Sequence, residues 1–190
     1  MDVIETNRNH AESLKAFNVC HDPLQEANIG SEKYDLILVA HVFYHIPREL
    51  WNKCVLKLFE SLKPGGSMVL TMTAPRGPLE EVQKSVRGDG ESPGKNDSGA
   101  LLSQVKTMKL PYKVTGTTAT LTAERDEYDM FHATVRMFSW NQSELEDCKP
   151  AERKRVEQVI QEFAKNCFDP KTNCYVMSQE EENIVIQKPC

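Results

Sequence analysis

The chain predicts an α/β fold built on a parallel sheet. Three observations carry this. Two apolar runs, residues 36–40 and 68–72, flank a segment of helical periodicity and a Pro-Gly-Gly turn, which together read as a βαβ unit. The first run is apolar at successive positions instead of alternate ones, as in strands covered on both faces. Further helix and strand signals follow along the rest of the chain.

At 190 residues, with 39% hydrophobic and 27% charged residues, the chain suits one domain with its own core, or a piece of a larger one. The net charge of −5 argues against nucleic acid as the main partner, because phosphate binding needs a basic surface. No apolar run approaches membrane-spanning length, and residues 1–17 lack the basic-then-apolar order of a secretory leader. The six cysteines show neither CxxC nor Cys/His metal spacing, so reduced thiols in a cytoplasmic setting, and no metal, are expected.

In order, residues 2–5 read as the end of a short strand and 9–17 as a helix with Thr6 or Asn7 as its cap. Glu5 ends that strand, where nucleotide-binding α/β folds place a carboxylate for ribose hydroxyls; a solvated strand end is the plainer reading. Residues 18–33 are irregular, broken by Pro23 and Gly30, with a strand at 17–20 poorly supported. The strand at 36–40 leads into a loop carrying His41, Phe43, Tyr44 and His45. Pro47 opens a helix whose stripe is Leu50, Trp51, Cys54, Val55, Leu58, Phe59 and Leu62. Lys63-Pro64-Gly65-Gly66 ends it and turns the chain into the strand at 68–72, which should run parallel to the first.

Residues 79–87 predict a helix, 88–99 an exposed mobile loop rich in Gly, Pro and Ser, and 101–110 a further helix. Thr and Val at 112–123 favour a strand. Helices are predicted at 128–140 and, opened by Pro150, at 150–166, the latter with Val156, Val159, Ile160 and Phe163 as its apolar stripe. Phe138 and Trp140 read as packing residues. Strand-like segments at 174–177 and 183–187 flank Glu180, Glu181 and Glu182, which read most simply as a solvated hairpin turn.

The segments FYHIP and LKLFESLKPGGSMVLTM resemble the class I S-adenosylmethionine-dependent methyltransferases around their fourth and fifth strands. Within that class the chain is most similar to the histamine N-methyltransferase group, through VIETNRNH, SEKYDLILVAHVFYHI and the terminal MSQEEENIVIQKP. The resemblance implies a Rossmann-like sheet with helices on both faces and an antiparallel C-terminal strand pair, in one partial domain spanning 1–190. It implies S-adenosyl-L-methionine as cofactor and a small amine, histamine-like in type, as methyl acceptor. Glu5 would hold the ribose hydroxyls, His10 would contact the cofactor where the relatives carry Gln, and Ala40 would touch the adenosyl group. His41 would stand where the relatives present Gln to the substrate, Tyr44 would line the aromatic wall, and Gln179 would take the place of a substrate-binding Asn. Read from the residues alone, His41 and His45 are as readily structural groups as ligands, and Phe43 and Tyr44 could close the core.

The resemblance also implies an N-terminal truncation. The family's first strand and Gly-rich loop precede the strand that carries Glu5, and no GxGxG occurs in the sequence. Without that strand the sheet is expected to lose a neighbour at its switch point, and this chain is expected to bind the cofactor weakly or not at all. A non-catalytic methyltransferase-like protein or interaction module is therefore the alternative to an active N-methyltransferase.

Overall fold

The computed structural model describes residues 21–87, 97–139 and 148–190. The elements expected at 2–5, 9–17 and 17–20 lie outside the described residues, as do Glu5, His10, Trp140 and most of the 88–99 loop.

The predicted βαβ unit is present. Strand β1 (Tyr34–Ala40) passes through two short 3-10 turns, Phe43–His45 and Arg48–Leu50, into helix α1 (Trp51–Ser61). The chain then returns as β2 (Leu62–Thr73), which pairs parallel to β1. Helices α2 (Pro78–Arg87) and α3 (Ser98–Thr107) follow, then β3 (Tyr112–Glu124), α4 (Tyr128–Ser139), α5 (Pro150–Asn166), the two-residue β4 (Phe168–Asp169) and the long β5 (Cys174–Gln187).

The strand order is β1-β2-β5-β3, with β4 paired to β5. The last strand is thus inserted between β2 and β3 and runs antiparallel to both. Side chains alternate faces along a strand, so β5 serves two cores. Its even positions Ile184 and Ile186 join Met68, Leu70, Met72, Val39 and the apolar stripes of α1 and α3. Its odd position Met177 joins Ala123 and the stripes of α2, α4 and α5 on the other face. Helices therefore cover both sides of the sheet.

Several expectations are corrected. The KPGG segment does not simply end the helix; α1 stops at Ser61 and the extended Leu62 already pairs with Tyr34. The register then shifts, so residues 63–66 bulge from the ladder. Gly66 is required there, because a Cβ would lie 2.9 Å from the Lys63 carbonyl oxygen and 3.0 Å from that of Tyr34. Glu180, Glu181 and Glu182 form no hairpin turn: they sit mid-strand in β5, paired with β2 and β3, because the ladder supplies backbone partners that local sequence does not reveal. Ser98 and Gly99, expected in a loop, form the first turn of α3. Asp97 caps that turn by accepting the Ala100 N–H at 2.8 Å. Phe138, expected to pack, is 42% exposed.

The continuous apolar run of β1 is covered on one face only among the described residues. Val39 is buried and Ile37 packs against the α1 core, whereas Leu36 and Leu38 are 56% and 69% exposed. Among those residues β1 pairs with β2 alone, leaving its other edge open. The five described cysteines are all free. No described helix is long and apolar enough to cross a membrane.

Candidate functional site

The carboxyl ends of β1 and β2 lie side by side, the position at which parallel α/β sheets bind ligands. Ala40 is the last residue of β1 and is exposed. His41 follows in a left-handed conformation, φ 56°, with its N–H still bonded to the Thr71 carbonyl at 3.0 Å. That conformation costs a non-glycine residue roughly 1–2 kcal/mol. The 3-10 turn that follows sends Phe43 and Tyr44 to different places. Phe43 is buried and meets Trp51 edge-on at 5.7 Å, so it closes the core. Tyr44 reaches across to the end of β2. His45 is exposed.

Thr73, the last residue of β2, is the hub. Its N–H donates to Tyr44 Oη at 2.5 Å, and its hydroxyl lies 2.8 Å from the same oxygen. Gln179, on β5, donates from Nε2 to Thr73 Oγ1 at 2.7 Å. His41 stacks on Tyr44 with ring centroids 6.0 Å apart, and its Nδ1 lies 3.4 Å from Tyr44 Oη. On the other side of the ring, His41 Nε2 lies 3.1 Å from Glu181 Oε1. Burial pushes the Tyr44 phenol above its usual 10.0, only partly offset by the Thr73 hydrogen bonds, with Glu181 and Asp97 adding to the rise. Tyr44 is therefore a neutral phenol at physiological pH.

Three residues singled out for the substrate, His41, Tyr44 and Gln179, are thus brought together on one hydrogen-bond network, with Ala40 beside it. Sequence reasoning missed Thr73 and Glu181. The signal for Glu181 was strand parity: Gln179, Glu181 and Asn183 share one face of β5. Asn183 extends the polar face by accepting from Thr71 Oγ1 at 2.6 Å. Glu180 and Glu182 point the other way and are both held by Arg76, with Ser98 donating a further 2.7 Å bond to Glu182. These bonds hold the Glu182 carboxyl below its usual range, against the opposing effect of its burial.

A separate concavity of about 720 Å³ is lined by Glu124, Arg125, Asp126, Thr172, Asn173 and Cys174. It lies five strand positions before Gln179, roughly 17 Å along β5, and brings together none of the residues above. The carboxyl-end network is the stronger site on chemical grounds, because its polar groups converge. No group of three or more His, Cys, Asp or Glu able to hold a metal ion occurs among the described residues.

No protein-family model matches the chain, and no curated protein matches it in sequence. Solved structures do match. A candidate methyltransferase from Bacillus halodurans is 13% identical with a TM-score of 0.58, over 100% of this chain and 80% of that one. The YcgJ protein of Bacillus subtilis is 14% identical with a TM-score of 0.55, over 98% of this chain and 78% of that one. A candidate sarcosine dimethylglycine methyltransferase from Galdieria sulphuraria is 17% identical with a TM-score of 0.50. The match covers 97% of this chain but 64% of that one, less than two thirds of its length. At such identities the likeness shows the fold: this is the Rossmann-like α/β fold that methyltransferases use.

Proposed function

We propose that the chain is an S-adenosylmethionine-dependent methyltransferase unit that acts on the nitrogen of a small amine, histamine-like acceptors included. The observation that carries this reading is the convergence of Tyr44 and Gln179 on Thr73, with His41 set against Tyr44, at the carboxyl ends of two parallel strands. The fold likeness to methyltransferases supports it, as does the sequence resemblance around β1, α1 and β2. The Galdieria protein is named as a candidate sarcosine dimethylglycine methyltransferase, and the compounds in that name are small amines.

The described residues fit one wall of a cofactor site. Ala40 is small and exposed at the strand end, so a flat group could lie against it, and the neighbouring Leu36 and Leu38 leave an apolar surface open. Glu5 and His10, also assigned to the cofactor by the resemblance, lie outside the described residues. When bound, the cofactor supplies an electrophilic methyl group on a sulfonium sulfur. The work of this chain is then orientation, since in-line displacement depends mainly on proximity and alignment. The Thr73 and Gln179 network fixes the Tyr44 ring, and a fixed aromatic face can attract a cationic methyl donor by about 0.5–2 kcal/mol. His41 and Gln179 offer polar atoms to orient the acceptor.

The test is transfer of labelled methyl from S-adenosylmethionine to a panel of small amines by the purified chain, with calorimetric titration of the cofactor. Transfer that drops on His41→Ala and Gln179→Ala is the expected result. Among the described residues β1 has one unpaired edge and Leu36 and Leu38 are exposed, which favours a second reading, a non-catalytic module whose sheet edge receives another polypeptide. Weak or absent cofactor binding would favour that second reading; a low-micromolar dissociation constant would reject it.

A further inference from the structure

We propose that His41, with its tautomer fixed by Glu181, is the proton acceptor that converts an ammonium methyl acceptor into the neutral amine; the proposal rests on the methyltransferase reading above. Amines of ordinary basicity are protonated at physiological pH and carry no free lone pair, so transfer to them requires that a proton leave first. The site contains one imidazole built for this. Its Nε2 faces the Glu181 carboxylate at 3.1 Å, which only a protonated nitrogen can satisfy, so in the neutral ring the lone pair is on Nδ1.

The groups around the ring agree with that assignment. The polar atom facing Nδ1 is Tyr44 Oη at 3.4 Å, whereas Thr73 Oγ1 is the nearer acceptor for the single phenol proton at 2.8 Å, so Tyr44 does not occupy Nδ1 strongly. Glu180 and Glu182 are taken by Arg76 on the opposite face of β5, which leaves Glu181 as the carboxylate of the run that faces His41. The side chain of His41 is 41% exposed while that of Glu181 is 17% exposed, so the ring is accessible and its anchor is sheltered. The left-handed backbone at His41 holds the ring at the strand end beside Ala40.

The step balances. R–NH3+ passes a proton to His41 Nδ1, giving R–NH2 and an imidazolium paired with Glu181. The nitrogen lone pair then forms the N–CH3 bond as the S–CH3 bond breaks, and its electron pair stays on sulfur as a neutral thioether. The product is R–NH2CH3+, and His41 returns its proton to water.

Two measurements test this. Long-range proton–nitrogen correlation spectra of the full chain should show His41 protonated on Nε2 and bare on Nδ1, with that preference lost in Glu181→Gln. An Nδ1–H tautomer in the wild type overturns the proposal whatever the activity. The second compares methyl transfer to propylamine, protonated at neutral pH, with transfer to aniline, which is not. His41→Gln should lower the propylamine-to-aniline ratio of kcat by about 10²-fold, with Glu181→Gln changing it in the same direction. Equal losses for both amines would mean a structural role and overturn the proposal. Absence of transfer by the wild type removes the methyltransferase reading and the proton-acceptor role together, while the spectra separately decide whether Glu181 fixes the tautomer.

Discussion

Thr73→Val isolates the hub of the site, because valine keeps the shape of threonine and removes only the hydroxyl. That hydroxyl accepts from Gln179 Nε2 at 2.7 Å and lies 2.8 Å from Tyr44 Oη, so one substitution deletes two side-chain hydrogen bonds. Each is worth about 0.5–1.5 kcal/mol net in a folded protein. Tyr44 keeps the Thr73 N–H, and the half-buried Gln179 can turn its amide to water, which places the sum near the lower end. The expected loss is about 1–2 kcal/mol, or a fall in Tm of about 2–8 °C for a chain of this size. Urea denaturation followed by tryptophan fluorescence reads it, with Thr73→Ser as the control that restores the hydroxyl.

Tyr44→Phe should cost more than Thr73→Val. It leaves the half-buried Thr73 N–H at the end of β2 without its acceptor, and an unsatisfied donor sheltered from water costs up to about 1–3 kcal/mol. The double variant should fall short of the summed single losses by at least ~0.5 kcal/mol, because the two side chains share one bond. Additivity within about 0.3 kcal/mol, or a Thr73→Val protein as stable as wild type, would refute the idea that Thr73 organises the site.

Other predictions follow from single contacts. Gly66→Ala brings a methyl against two backbone carbonyl oxygens that cannot move independently of the bulge, and should cost about 1–3 kcal/mol by thermal melting. Asp97→Ala removes the cap of α3 and should cost about 1 kcal/mol, with Asp97→Asn retaining most of it; equal losses in the two variants would refute the capping role. Tyr44 has a folded pKa raised above 10.0, so its neutral form binds its proton more tightly folded than unfolded. Its contribution to stability is complete below pH 10.0 and is lost as pH rises through the folded value; Tyr44→Phe should flatten that part of the stability–pH curve, and an unchanged slope would contradict the assignment.

Much of the fold was legible because local signals agreed with the tertiary answer. Pro150 at the helix start and the stripe through Val156 and Ile160 needed no partner to be read, and α5 spans the residues that periodicity indicated. The parallel pairing of β1 and β2 followed from a helix lying between two apolar runs. The failures share one physical origin. β1 is apolar at Leu36 and Leu38, but whether those side chains are covered depends on what stands beside the strand, and composition carries no information about that.

β5 shows the same limit in polar form, and there it decides the site. A run of three glutamates reads as solvated turn because three adjacent like charges are poor strand formers. Inserted between β2 and β3, the run gains a ladder on both edges, and the alternation of side chains sends Glu181 to one face and its neighbours to the other. Arg76 can then take the two that share a face, which removes most of their mutual repulsion. The third is left opposite His41. The strand is thus polar at the positions where it borders the carboxyl end of β2, and apolar at Ile184 and Ile186 where it enters the core. Had the run been a hairpin turn, Gln179 and Glu181 would have had no common face, and His41, Tyr44 and Thr73 would have no fourth and fifth partner. It is the insertion of β5, not the composition of any one loop, that assembles the site.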